Sequence, residues 1–308
     1  MATSEFAKAI SIVDETSPTP NGFFIPNESG SEDGRYVSEE EYWAEYYERG
    51  DFSYEWNNGY LEEKPVGDYA QYQLYLWFLA LLKDFLHVSP IARMIGLEMG
   101  FRMKLPQKVT IRKPDLGVVL NSNAVGLGDR DRSYKGIFDL CIESISDSTR
   151  KMMEHDTVTK KLEYAAAGVA EYYILDEQGR ETAFYRLNSQ GIYTPITAQN
   201  GIIRSSVLPG FQWRLADIYS LPEPPQMIED QVYRAFASPY FRAERLRAEE
   251  ERVRAEQERV RAEEERMRAE EANARSRQLE TRLLREQRRA EQYAAQLKSL
   301  GIELGEFE

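Results

Sequence analysis

From about residue 240 the chain gives up the means to build a core. "RAEEERV RAEQERV RAEEERM RAEEANA" is a seven-residue repeat from Arg247 to Ala274, built from Ala, Glu and Arg. Those residue types favour helix, and Glu250–Arg254 and Glu264–Arg268 have the spacing of supportive charge pairs. The apolar seam is thin. Val253, Val260 and Met267 recur every seventh residue, while Glu256 and Glu263 take a position where a coiled coil wants its second apolar knob. Further on, Leu283, Ala290 and Leu297 form one row, with Leu279, Tyr293 and Leu300 beside it. The pattern predicts one long charged helix over 241–300, its distal part pairing with a second copy, and a short tail over 301–308. Everything else must fold within the first 240 residues.

That first part has the material to do so. Of 308 residues, 42% are hydrophobic and 12% aromatic, so an extended core is affordable despite 30% charged residues. The formal net charge of -13 argues against a generally basic coat for nucleic acid but leaves room for a local basic groove. A single cysteine, Cys141 in "FDLCIESI", excludes an intramolecular disulfide and reads as a reduced thiol in the core. The start carries no basic and apolar leader pattern. The most apolar window, residues 74–88, is interrupted by Lys83 and Asp84 and is too short to span a bilayer. A cytoplasmic protein without a membrane segment is expected.

Residues 1–35 are polar and acidic and read as a flexible tail. "SEEEYWAEYYERG" predicts a short helix capped by Ser38, with Glu41 three residues on and Gly50 at its close. "FSYEWNNGYLEEK" predicts a hairpin turning at Asn57-Asn58-Gly59. A helix over 69–87 follows, then strands near 91–104, 110–120 and 137–146. A second helix over 155–167 ends at Gly168. Strands return at "EYYILD", "TAFYRL" and "GIYTPI", "VLPGFQWRLADIY" closes the unit, and proline-rich "SLPEPPQ" opens a linker over 221–240. The order predicts one α/β (α+β) domain over 36–220, a mixed central sheet flanked by helices.

Within it, "TIRKPDLGVVL" poses a question. A Pro-Asp pair sits in a strand-like run, where proline cannot donate to the ladder and a buried carboxylate needs a partner. Twenty-eight residues after Asp115, Glu143 lies in another apolar strand on the face of Cys141. Asp156, Lys160 and Tyr164 follow at intervals of four, hence on one helix face. Two carboxylates from neighbouring strands and a lysine suit a hard divalent cation and phosphate chemistry. The lysine would orient or help deprotonate water; Lys161 competes with Lys160 for that part. The chain has no phosphate-binding P-loop, no Cys pair, and only His87 and His155. Basic residues flank the region in sequence (Arg102, Lys104, Lys108, Arg112, Lys113, Arg130, Arg132, Lys135, Arg150 and Lys151), a candidate phosphate-contacting face.

The stretches "YEWNNGYLEE", "RKPDLGVVL", "DLCIESISDST", "DTVTKKLEYAAAGVAEYYILD" and "LPGFQWRLADI", in this order and spacing, resemble a bacterial restriction-endonuclease family of the PD-(D/E)XK nuclease superfamily. The resemblance covers about 36–220 and implies a restriction-endonuclease-like fold. It implies a metal site at Asp115 and Glu143 joined by Glu55, with Asp115, Glu143 and Lys160 as the catalytic set. Mg²⁺, or Mn²⁺ in its place, would be the cofactor, DNA the substrate, and a homodimer through the C-terminal helix the assembly, with no small-molecule cofactor. Ile145 holds the position where the superfamily usually places its lysine, so Lys160 supplies it from the next helix. "GDYAQYQL" lacks the histidine that relatives often carry there, leaving the part played by Gln71 open. The competing reading is a catalytically silent nuclease-fold module, binding nucleic acid or protein and assembled through the charged helix.

Overall fold

The computed structural model describes residues 30–96, 99–145 and 153–299. The expected tail up to residue 29, the "SDST" loop with Arg150 and Lys151, and Leu300 with the end of the chain lie outside the described residues. Two compact units divide at Pro239 and Tyr240.

The first unit opens with α1 (Glu39–Glu41), capped by the Ser38 hydroxyl, which accepts from Glu41 N at 3.1 Å. It runs into a π-helical turn over Tyr42–Tyr46 and ends short of Gly50. Strands β1 (Tyr54–Asn57) and β2 (Tyr60–Glu63) form the expected hairpin. Its two turn residues, Asn58 at φ 49° and Gly59 at φ 103°, are left-handed, as a turn matching the twist of the strands requires. Helix α2 (Tyr69–Val88) begins at Asp68, whose carboxylate accepts from Gln71 N at 2.9 Å, and buries Leu74, Phe78, Leu81, Leu82 and Phe85 at helical spacing.

Strands β3 (Ala92–Gly96), β4 (Phe101–Lys104), β5 (Val109–Arg112), β6 (Leu116–Leu120) and β7 (Leu140–Ile145) follow. A π-helical turn over His155–Lys160 continues as α3 (Lys161–Ala167), which ends on left-handed Gly168 at φ 91°. Then come β8 (Glu171–Asp176), β9 (Ala183–Leu187), β10 (Tyr193–Pro195), β11 (Ile202–Arg204) and β12 (Gln212–Arg214), and the short helices α4 (Asp217–Ser220) and α5 (Pro224–Met227). The main sheet is mixed, in the order β10-β9-β8-β7-β6-β3, with β7 and β8 parallel across the α3 crossover and the other pairs antiparallel. A second, antiparallel sheet has the order β2-β1-β5-β4. The fold is thus α/β, a mixed central sheet flanked by helices.

Residues 110–120 are not one strand. β5 belongs to the small sheet and β6 to the large one, and Lys113-Pro114-Asp115 carries the chain between them. Proline has no N–H to lose at such a break. One face of the large sheet (Leu116, Val118, Leu140, Ile142) packs on α2 with Trp213 and Phe236. The other (Val119, Cys141, Ile145, Tyr172) packs on Tyr164 of α3 and on Phe101 and Met103 of β4. Cys141 is a core residue.

The segment expected as a linker is packed instead. Met227, Val232, Tyr233, Phe236 and Ala237 join the core over α2, and the Phe236 ring stands 5.5 Å from that of Phe85. Pro224 opens α5 as a first-turn residue, with Glu223 and Gln226 forming a capping box, so the prolines start a helix rather than a loose connection. The second unit is the helix α6 (Pro239–Ser299), with no buried residue along its length and ion pairs such as Arg252–Glu249 and Arg259–Glu256, each at 2.8 Å.

Candidate metal centre

The switch between the two sheets is where the charged residues gather, because its backbone groups find no strand partner. Glu55 Oε1 accepts from Lys113 N at 2.7 Å, Lys64 Nζ donates to Lys113 O at 2.6 Å, and Asp115 Oδ2 accepts from Ser144 N at 2.8 Å. The carboxylate in "RKPDLGVVL" therefore completes the hydrogen bonding of a strand that the proline has ended. Leu116 pairs with Ile142, so the next step of that register sets Asp115 opposite Glu143. Facing side chains on neighbouring strands lie about 5 Å apart at Cβ. Two acids so placed repel unless a cation stands between or beside them.

Two lysines do stand there. Lys64 Nζ lies 3.0 Å from Asp115 Oδ1. Lys160 Nζ lies 3.0 Å from Asp156 Oδ1, 3.2 Å from Glu143 Oε1 and 3.5 Å from Glu55 Oε1. The wider π-helical turn brings Asp156 and Lys160 to the sheet together. Lys161 points elsewhere, its Nζ 4.1 Å from the centre of the Tyr185 ring. Tyr164 donates to Glu143 Oε1 at 2.7 Å while its ring packs on Phe101 and Tyr172. It serves the site and the core at once.

Glu55 links this group to a second one. Its strand partner across the hairpin is Glu62, and Arg112 reconciles the two acids. The buried guanidinium donates to Glu163 at 2.6 and 2.8 Å, to Glu55 Oε2 at 3.1 Å, and to Glu62. His155 Nε2 lies 2.9 Å from Glu62 Oε2. Glu55, Glu62 and His155 each offer a ligand atom within 4.8 Å of the others, a second grouping able to hold a cation, though Arg112 already supplies positive charge there.

The titration of these groups follows from burial against charge. Burial pushes Glu143 up to about 7, helped by Asp115 and Asp156 and opposed by Lys160 and Lys64. Burial also disfavours the charged form of Asp156, but Lys160 and His155 outweigh it and hold that carboxyl below its ordinary range. Burial and Arg112 act against protonated His155; Asp156 and Glu62 overcome both and raise it to about 9. Lys160 is raised well above a free lysine because its three carboxylates outweigh its burial.

The expected basic face is largely spent on the protein itself. Arg112 and Lys113 are buried, Arg102 is bidentate to Glu39 at 2.5 and 2.9 Å, and Arg132 pairs with Glu48 at 2.9 Å. Lys108 reaches Glu163 at 2.7 Å. Gln71 Nε2 donates to Ser144 O, which ties α2 to the end of β7. Sequence reasoning missed Lys64, Glu62 and Glu163, set His155 aside, and placed Arg112 on a phosphate-contacting face. One signal was available: a two-residue turn at Asn58-Gly59 fixes Glu55 opposite Glu62, and two facing acids call for a buried cation.

A mixed α/β domain with opposed strand carboxylates and a helix-borne lysine is the class of structure that the resemblance implied. The family model Uma2, described as "Putative restriction endonuclease", matches residues 39–217, and the chain belongs to that family. A crystal structure of a putative nuclease belonging to DUF820 from Anabaena variabilis is similar at 14% identity and a TM-score of 0.45, covering 56% of this chain and 93% of that one. No curated protein matches the chain. Among the described residues no helix is long and apolar enough to cross a membrane.

Proposed function

We propose that the chain is a metal-dependent endonuclease that hydrolyses DNA phosphodiester bonds. The observation that carries this reading is the Asp115 carboxylate accepting from Ser144 N, next to Glu143, where the β6–β7 pair ends within the family's matched region. The donor set fits Mg²⁺ or Mn²⁺. Both ligands are hard carboxylate oxygens, and two ammonium groups already lie against the cluster, so it binds positive charge. Asp115 and Glu143 would hold the ion, with Glu55 beside them. Bound there, it would lower the pKa of a ligated water and take up charge on the phosphate.

The protein's own part is to hold these groups in register. Ser144 N fixes the rotation of the Asp115 carboxylate, and Tyr164 fixes that of Glu143. Lys160, shared among three carboxylates, lets the buried Glu55 and Glu143 lie beside Asp156. The distal rows of α6, with Leu279, Leu283 and Tyr293 exposed, are read as the surface that pairs two copies and so two sites.

The test is cleavage of supercoiled plasmid and single-stranded DNA in Mg²⁺ or Mn²⁺, comparing wild type with Asp115→Asn and Glu143→Gln. Metal-dependent cutting by wild type, lost in both variants, is expected. The neutralisation of the acids by Lys64 and Lys160 favours the second reading, a silent module. A folded wild type that still dimerises but cuts no substrate under any of these conditions would favour it over the enzyme.

A further inference from the structure

Two lysines serve the carboxylate cluster, and their surroundings differ. Lys160 is enclosed: its side chain is 4% exposed and its Nζ is shared among Asp156, Glu143 and Glu55. Lys64 lies at the open side, 14% exposed against an Asp115 that is 16% exposed, and among the described residues it pairs with Asp115. It leaves the hairpin immediately after β2, anchored by its own backbone N–H to Ser53 O at 2.8 Å, so its stem starts from a fixed point. Its ammonium also donates to Lys113 O at 2.6 Å, which holds it over the sheet switch.

We propose that Lys64 is the substrate-side lysine of this site: it contacts the scissile phosphate, whereas Lys160 is a positioning residue for the acids. This rests on reading the cluster as a phosphodiesterase centre. A divalent cation bound by Asp115 competes with Lys64 for the same carboxylate, and like charges repel, so Lys64 gives up that oxygen. The other carboxylates that act on it, Glu143 and Glu55, are held by Lys160, so a substrate phosphate oxygen is the anion left to it at the open side. Lys160 has no such freedom, because leaving would abandon two buried carboxylates, Glu55 and Glu143, as well as Asp156.

In the hydrolysis, a water oxygen bonds to phosphorus and the bond from phosphorus to the leaving sugar oxygen breaks. The water proton ends on that leaving oxygen. Lys64 exchanges no proton with the substrate; its ammonium offsets negative charge that builds on the phosphate oxygens.

Removing a cation that competes with metal and assists phosphate should act in opposite directions on two measurements. Lys64→Met keeps the apolar stem and removes the charge. By calorimetry without DNA, Mn²⁺ should bind the full-length variant about tenfold more tightly than wild type. In single-turnover cleavage at saturating Mn²⁺, the variant should be slower by about 100-fold, with partial recovery in Lys64→Arg. A purely structural Lys64 gives a different pattern, since a loosened site weakens metal binding and cleavage together. That pattern, or a Lys64→Met enzyme as fast as wild type, overturns the proposal while leaving the nuclease reading intact. A wild type that neither binds Mn²⁺ nor cuts DNA overturns both.

Discussion

Replacing Arg112 with methionine tests the hub that lets this site exist. The guanidinium is fully buried and donates to three acids, Glu163, Glu55 and Glu62. Methionine keeps most of the volume and none of the charge. Each acid retains another partner: Glu163 keeps Lys108, Glu62 keeps His155 and Asn57, and Glu55 keeps Lys160 and Lys113 N. The expected loss is therefore that of breaking one buried ion pair rather than three, about 3–5 kcal/mol. It should depend on pH. Burial works against ionised Glu55, Glu62 and Glu163, but the surrounding cations, Arg112 prominent among them, hold all three below the ordinary carboxylate range. Such depressed groups stabilise the fold above their unfolded pKa and lose that contribution as pH falls through the folded values. Without Arg112 the acids protonate more readily, so the gap between variant and wild type should be widest near neutrality and narrow toward about pH 4. All four tryptophans, Trp43, Trp56, Trp77 and Trp213, lie in the first unit. Urea unfolding followed by their fluorescence thus reports on that unit alone. A loss under about 1 kcal/mol near neutrality, or a gap that widens in acid, would refute the reasoning.

Further outcomes are expected from single features of the fold. Glu143, raised to about 7 by burial first, stabilises the metal-free protein below the unfolded carboxylate range and loses that contribution as pH rises through about 7. Glu143→Gln should flatten this part of the stability profile, measured by thermal unfolding in chelator across the same range. Gly59→Ala would set a Cβ at φ 103°, 2.4 Å from Tyr36 Cε2, and should cost about 1–3 kcal/mol in urea unfolding; Tyr36 can move aside, but the backbone cannot. A chain ended after Pro239 should unfold with an unchanged tryptophan transition and sediment as a monomer, against a dimer for the full chain.

Local chemistry in the sequence carried the elements well where one residue decides. Asn58-Gly59 set the hairpin, Gly168 stopped α3, and the apolar spacing from Leu74 to Phe85 defined α2. It failed where the deciding partner is distant. Nothing near Pro114 says that β5 and β6 join different sheets. The prolines at 222–225 suggested a linker because the apolar residues that dock on α2 come only afterwards, from Met227 to Ala237. Strand β11, three residues long, is too short for any period to register. At the proposed site, the grouping of Asp115, Glu143, Glu55 and Lys160 was legible from strand alternation, helical spacing and the family resemblance. Lys64 and Arg112 were not, since a lysine beside a hairpin and an arginine in a charged stretch read as surface until the sheet switch brings the acids to them.

Whether Asp115 and Glu143 together hold a divalent cation decides what this site can do. A crystal of the full-length protein soaked in Mn²⁺ and measured for anomalous scattering locates the ion directly. One anomalous peak bonded to carboxylate oxygens of both Asp115 and Glu143 is expected. A peak at Glu55, Glu62 and His155 instead, or no peak while Lys64 and Lys160 keep their ion pairs, would contradict it.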